Sequence, residues 1–402
     1  MNKQEQAFKK LSKLKVGMLA MEMGTGKTKV ALDLMASKLH KVDYMLWICP
    51  FSIKSEIEAE RIKWHPELTV DIVGVETISA SDRVYLGLLE NVKTHKTFIV
   101  VDESLKIKNL DAKRTKRILE FGEYAQYKLI LNGTPLSKNV LDLYTQLQFL
   151  SPKILNMSFN QFKNQYCEYY VRGELKGVVK KQHNIEHLIS IIEPYIFDAE
   201  LDLGKLKHYI DVDYYMTNHE DYEEIKYNFI TGNDSDIEFF ALANALQHFY
   251  CSQEKKAKLV DDIAERLDGQ VLVFVKYLDS IPESARCITG DTKDRKCIIK
   301  DFKDGKFKTL YITYGCGAFG LNFQNCNNMI FADHTFNYAE RLQAEARIFR
   351  IGQDQDVNYY NINCNVGLDR LIRKCLNKKT KLLDEVKTEI TRVGVEEWVK
   401  TI

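Results

Sequence analysis

Over the first 150 residues, short apolar runs alternate with stretches of helical periodicity. "VGMLAM" leads into a loop and then "KVALDLMASKLH", whose Val30, Leu32, Leu34, Met35 and Leu39 suit a partly buried helix. "YMLWICP", "VDIVGV", "KTFIVVDE" and "YKLILNGT" are β-branched or aromatic runs closed by turn chemistry. Such strands, separated by amphipathic helices, predict a parallel sheet covered on both faces. From about residue 150 to 265 the strand signal fades, and "SFNQFKNQYCEYY", "NIEHLISIIEPY" and "EFFALANALQHFYCSQEKKAKLVDDIAERL" read as helices. Strands return in "QVLVFV", "ARCITG", "KTLYITY", "NMIFAD" and "VNYYNI", and "LDRLIRKCLNKKTKLLDEV" is a charged amphipathic helix. The pattern predicts two α/β lobes, each a parallel sheet with flanking helices, joined through a helical middle. The expected division is 1–197, with a helical extension from about 150, and 198–402, with a helical insertion over 220–265 and a C-terminal helix.

Composition narrows this picture. A chain of 402 residues with 45% hydrophobic and 28% charged residues suits two or three globular domains. With 57 basic against 56 acidic residues the net charge is +1, so any nucleic-acid binding must come from a local basic groove. The nine cysteines show no C-x-x-C pair or zinc-like spacing, and they read as free thiols of a reducing compartment. The longest apolar run, "YMLWICPF", has eight residues, and the N-terminus lacks the apolar stretch of a signal peptide. A cytoplasmic or DNA-associated protein without a membrane partner is expected.

Candidate chemistry begins at "MEMGTGKT". Gly26, Lys27 and Thr28 stand in the order a phosphate-binding loop needs, but Met21 occupies the position of its first glycine. The stretch is either a variant nucleotide loop or a Gly-rich turn containing a lysine. Its place after a strand and before a helix suits phosphate, which backbone amides and the helix dipole would meet. Met23, Gly24, Thr25, Gly26, Lys27 and Thr28 would then cradle it, with Lys27 on the β/γ-phosphates and Thr28 on Mg²⁺. "TFIVVDES" ends a strand with Asp102, placed to hold Mg²⁺, and Glu103, placed to orient or deprotonate the attacking water. Hydrolysis of a nucleoside triphosphate is the leading idea. In "QAEARIFRIGQ", Gln343, Arg347 and Arg350 fall at i, i+4 and i+7, which predicts one helical face and an anion site. "HNIEH" (183–187) matches a zinc-peptidase pattern, but a solvent-facing helix turn is the better reading.

"MEMGTGKT", "VVDESLKIKN" and "LNGTPLSKN" resemble motifs I, II and III of superfamily-two helicases, and Ile107, Lys108 and Asn109 place them nearest the Swi/Snf-like branch. In that family the loop's first glycine is commonly absent, so Met21 ceases to be an objection. The segment 313–353 is similar to motifs V and VI, including Gly317, Gly320, Asn322, Asp333, Asn337 and Arg350-Ile351-Gly352-Gln353. "ITGDTKDR", with Gly290 and Arg295, resembles motif IVa. The resemblance implies an ATP-dependent translocase on double-stranded DNA, a monomer by family default, with ATP and Mg²⁺ held between two RecA-like lobes. It makes Arg347 and Arg350 arginine fingers, Gln4 the adenine contact, and Gln343 and Gly320 part of the nucleotide site. It places Ser52, Lys54, Lys108, Asn109, Lys138, Gly290 and Thr313, with Tyr314, along the DNA groove. A strand-separating or annealing helicase and a nucleotide-gated DNA-binding switch are the alternatives, and a recruiting protein is an expected partner. One departure stands out: the family's Asp-Glu-Ala-His is Asp102-Glu103-Ser104-Leu105 here, so the histidine that links ATP to DNA is missing.

Overall fold

The computed structural model describes residues 2–133, 140–169, 179–231, 239–317, 322–378 and 395–402. The chain divides into two compact units, 1–201 and 202–402.

The first unit is built on β1 (Val16–Met21), β2 (Tyr44–Cys49), β3 (Asp71–Gly74), β4 (Thr97–Val101), β5 (Tyr127–Asn132) and β8 (Ile196–Ala199). Their order in the sheet is β3-β2-β4-β5-β1-β8, and every pair is parallel. Side chains alternate between the two faces, as strand geometry requires. Met18, Ala20, Leu46, Ile48, Ile99, Val101 and Ile130 enter one core, and Leu19, Met21, Met45, Trp47, Phe98, Val100 and Leu131 enter the other. That two-sided burial is why the strands are continuous apolar runs. A small hairpin, β6 (Cys167–Tyr169) with β7 (Val179–Gln182), lies outside this sheet.

The second unit carries β9 (Lys207–Tyr214), β10 (Val271–Val275), β11 (Cys287–Ile288), β12 (Thr309–Thr313), β13 (Asn328–Phe331) and β14 (Val357–Cys364). Its order is β11-β12-β10-β13-β14-β9, again all parallel. Val271, Val273, Val275, Ile330 and Ile362 pack with Leu242, Leu246, Val260 and Ile372 from helices. The opposite face carries an aromatic row in which Phe331 contacts both Phe274 and Tyr359.

Both sheets agree with the parallel architecture the sequence predicts, and three local readings are corrected. "SFNQFKNQYCEYY" is helical only over Phe159–Tyr166, after which Cys167–Tyr169 pairs as β6. β8 and β9 fall in a region read as helical. β9 was hidden because its charged and apolar residues alternate at a sheet edge. The long predicted helix of the middle segment is two, Phe239–Cys251 and Glu254–Arg266. "HNIEH" runs into the helix Ile185–Ile192 as expected, with exposed His187 placing its Nδ1 3.0 Å from the Tyr166 hydroxyl. All nine cysteines are free, and seven of them are buried. No described helix is long and apolar enough to cross a membrane.

Candidate nucleotide and nucleic-acid sites

In the first unit the chain leaves β1 at Met21 and enters the helix Lys27–Ala36 through a loop that needs glycine twice. Gly24 and Gly26 have φ of 81° and 86°, left-handed values that side chains with a Cβ rarely take. The loop is braced from within: the Thr25 amide and hydroxyl both donate to the Glu22 carbonyl, at 3.3 and 2.6 Å. Gln4 lies against it. Its Nε2 donates to the Thr25 carbonyl at 3.0 Å, and a Cβ on Gly26 would collide with its amide. The helix start has no side-chain cap, so its first-turn amides are left for another acceptor.

Lys27 reaches back across the loop, its Nζ donating to the Met21 carbonyl at 2.8 Å. Burial lowers its pKa, while Glu103, Asp102 and Glu22 pull it upward. Asp102 follows β4 directly and is fixed by its amide, which donates to the Ile48 carbonyl at 2.7 Å. Burial pushes its carboxyl up to about 7, helped by the charge of Glu103 and opposed by Lys27. Glu103 sits in the left-handed region at φ 49° and ψ 53°, with its amide bonded to Asp102 Oδ1 at 2.9 Å. A Cβ on Gly133 would stand 3.2 Å from Met23 Cε and 3.5 Å from Lys27 Nζ, so the third motif begins against the loop. One edge of the sheet thus gathers Gln4, Met23–Thr28, Asp102, Glu103 and Gly133. Thr134 and Pro135 lie outside the described residues, as does Lys138.

In the second unit the expected helical face is corrected. The helix Tyr338–Glu345 contains Gln343 but ends before Arg347 and Arg350, which stand in the turns that follow. The Glu345 carbonyl accepts from the Ile348 and Phe349 amides and the Tyr359 hydroxyl, which holds the arginine segment against the helix end. Gln353 pins the far side, its Nε2 donating to the Cys326 carbonyl at 2.9 Å and the Ile348 carbonyl at 3.2 Å. Arg347 is buried, and its carbonyl accepts from the Phe323 amide at 3.0 Å. Beneath this segment lies a buried polar hub that sequence reasoning missed. The Glu345 carboxylate takes Arg341 Nε at 2.8 Å and the Tyr209 hydroxyl at 2.9 Å. Arg341 continues to Asn361 at 2.7 Å and lies over the Phe331 ring. The i, i+4 spacing of Arg341 and Glu345 was visible in the sequence, but Tyr209, on a different strand, was not. Gly320 lies outside the described residues.

The DNA candidates stand where strands end. Ser52 lies in the turn Phe51–Ile53 after β2, and Lys54 opens the next helix. Lys108 is 3.4 Å from Asp142, and Asn109 accepts from the Asp111 amide at 3.0 Å. Thr313 ends β12, and Gly290 is exposed in a loop held by Arg295, whose Nη2 donates to the Thr289 and Gly290 carbonyls. Tyr314 is corrected: it is buried, and its hydroxyl donates to the Asp333 carbonyl at 2.8 Å, so it faces the core and not a groove.

Comparison with known proteins follows the same division. The SNF2-related domain family matches residues 87–202, and the helicase conserved C-terminal domain family matches residues 254–352. The chain carries the two domains of a Swi/Snf-like member of helicase superfamily two. Relatives of this Swi/Snf-like protein include the TATA-binding protein-associated factor MOT1 of Saccharomyces cerevisiae, 23% identical over 86% of the chain and 25% of MOT1. Another is the SWI/SNF-related matrix-associated actin-dependent regulator of chromatin subfamily A-like protein 1 homolog of Caenorhabditis elegans, 22% identical over 92% of the chain and 59% of the relative. The Swi/Snf-like chain therefore spans less than two thirds of either relative. Among solved structures, the Sulfolobus solfataricus SWI2/SNF2 ATPase core in complex with dsDNA is 23% identical, covering 99% of this chain and 96% of that one, with a TM-score of 0.44.

Proposed function

We propose that this chain hydrolyses ATP in response to double-stranded DNA and uses the cycle to move along the duplex, remodelling protein–DNA or branched DNA structures. The observation that carries the reading is the grouping of Lys27, Asp102 and Glu103 at a glycine loop braced by Gln4. Lys27 binds the β/γ-phosphates, and Glu103 orients the attacking water and takes its proton. The donor set fits Mg²⁺: Thr28 brings a hydroxyl to the first turn of the helix Lys27–Ala36, and Asp102 is a desolvated carboxylate whose charge calls for a cation. When bound there the ion supplies charge neutralisation between the phosphates. Arg347 and Arg350 are proposed to stabilise charge developing on the γ-phosphate, a role worth about 10³–10⁵ in rate. Ser52, Lys54, Lys108, Asn109, Lys138, Gly290 and Thr313 are proposed to meet DNA phosphates without reading sequence.

The test is steady-state ATP hydrolysis by the full chain alone, with duplex DNA, with single-stranded DNA and with RNA, beside Lys27→Ala. Stimulation by duplex that vanishes in the variant is expected, and displacement of a third strand from a triplex would then read movement. Stimulation by single strands or RNA alone would instead favour strand separation or annealing. Tight ATP-dependent DNA binding without turnover would leave a nucleotide-gated switch.

A further inference from the structure

Leu105 cannot carry the polar link that a histidine would make between the ATP-facing acids and the DNA-facing turn. We infer that Ser104 and Gln146 supply that link in this chain, as positioning residues for Glu103. The Ser104 hydroxyl donates to Gln146 Oε1 at 2.5 Å, and both residues are fully buried. The other end of the same amide donates to the Asp142 carbonyl at 2.7 Å, which fixes its orientation. Gln146 belongs to the helix Leu141–Leu150, and two of its neighbours there reach the same turn. Thr145 Oγ1 donates to the Lys108 carbonyl at 2.8 Å, and the Asp142 carboxylate is 3.4 Å from the Lys108 ammonium. Asp142, Thr145 and Gln146 stand at i, i+3 and i+4, so one helix face holds both ends of a single turn.

That turn is the 3₁₀ segment Ser104–Ile107, flanked by Glu103 on one side and Lys108 on the other. Glu103, in its left-handed conformation, also lends its carbonyl to the Lys106 amide at 2.9 Å. The proposed catalytic acid and a proposed DNA-contacting lysine are therefore the two flanks of one short turn clamped to one helix. A DNA phosphate at Lys108 competes with Asp142 for the ammonium. The resulting shift reaches Glu103 through Ser104, the only residue of the turn whose side chain is shown bonded to that helix. Hydrolysis then senses DNA within the first unit without a histidine.

The inference rests on the proposed DNA-dependent ATPase, and the experiment separates the two. The full chain would be compared with Ser104→Ala, Gln146→Leu, the double variant and Ser104→Thr, measuring turnover with and without duplex DNA, KM for ATP, and Tm. Each single variant leaves a buried group unpaired, so its Tm falls, whereas the double variant is an apolar pair that recovers Tm. The expected result is that the double variant still loses about tenfold of the DNA stimulation, the order of one buried hydrogen bond, with KM for ATP unmoved. Ser104→Thr keeps the hydroxyl and should keep the stimulation; its loss at unchanged Tm would overturn the inference. A double variant stimulated like the wild type would also overturn it, showing a purely structural bond and leaving the ATPase reading intact. A wild type that DNA does not stimulate would bring down both.

Discussion

Glu103 combines a proposed chemical role with a conformation that side chains avoid. For a residue with a Cβ the left-handed region costs about 1–2 kcal/mol, and here it is held by the Asp102 carboxylate, the Lys106 amide and the buried Ser104 that follows. Strain at such a position is consistent with a carboxylate aimed by its surroundings. Glu103→Gln should retain ATP binding, read by titration with a fluorescent analogue, while turnover falls by about 10²–10⁴, the usual worth of a general base. Turnover within a few fold of wild type would remove Glu103 from the chemistry. The residue itself was legible in "FIVVDES", because four apolar positions followed by two acids mark a buried strand and its exit. Its backbone conformation was not, since it depends on how the turn Ser104–Ile107 is folded and buried. The same holds for Asp102: sequence gives the carboxylate, but only the packed site shows that burial lifts it to about 7.

Two elements are pinned in ways that periodicity cannot show. The helix that opens at the phosphate loop carries Asp33, which pairs with Lys29 at 2.8 Å and with His65 Nε2 at 2.8 Å, while His65 Nδ1 lies 2.7 Å from Glu67. Burial alone would lower the His65 pKa, but the hydrogen bonds to Asp33 and Glu67 outweigh it and raise the value above the ordinary 6.5. A histidine that holds its proton more tightly when folded stabilises the fold fully below its unfolded pKa, and that contribution is lost as pH rises through the folded value. His65→Asn should therefore lower Tm most near about pH 5.5 and least near about pH 9; an equal drop at both would dismiss the charged bridge. In the second unit the hub at Glu345 predicts a different signature. Tyr209→Phe keeps the ring stacked on Tyr359 but removes one bond to a buried carboxylate, so urea unfolding should show a loss of about 1–3 kcal/mol with an unchanged m value. A loss near zero would mean that Arg341 alone satisfies Glu345. Arg347 and Arg350 teach the complementary lesson. Their spacing read as one helical face, yet the helix ends at Glu345 and both arginines stand in the turns beyond it.

At the scale of the whole molecule, both parallel sheets were legible because buried parallel strands must be apolar throughout, and ten of the twelve strands announced themselves that way. β8 and β9 escaped because they are partly exposed, with a mixed composition that a helix could share. The proposed DNA surface was the least legible feature, for an electrostatic reason. A net charge of +1 spreads no attractive field over the chain, so affinity must come from a few lysines at strand ends meeting phosphates one by one. Such binding is entropic in origin, through counterions released from the duplex, and each phosphate neutralised steepens the salt dependence by about 0.9 in the log–log slope. Duplex affinity measured across a salt series should fall on a straight log–log line whose slope counts those contacts. Lys54→Ala should weaken binding at low salt and flatten the slope by about 1, equally for unrelated duplex sequences. Lys108→Ala should flatten it by less, because its ammonium already has Asp142 at 3.4 Å and must exchange one partner for another. A slope that neither substitution moves would place the DNA on a different surface of the chain.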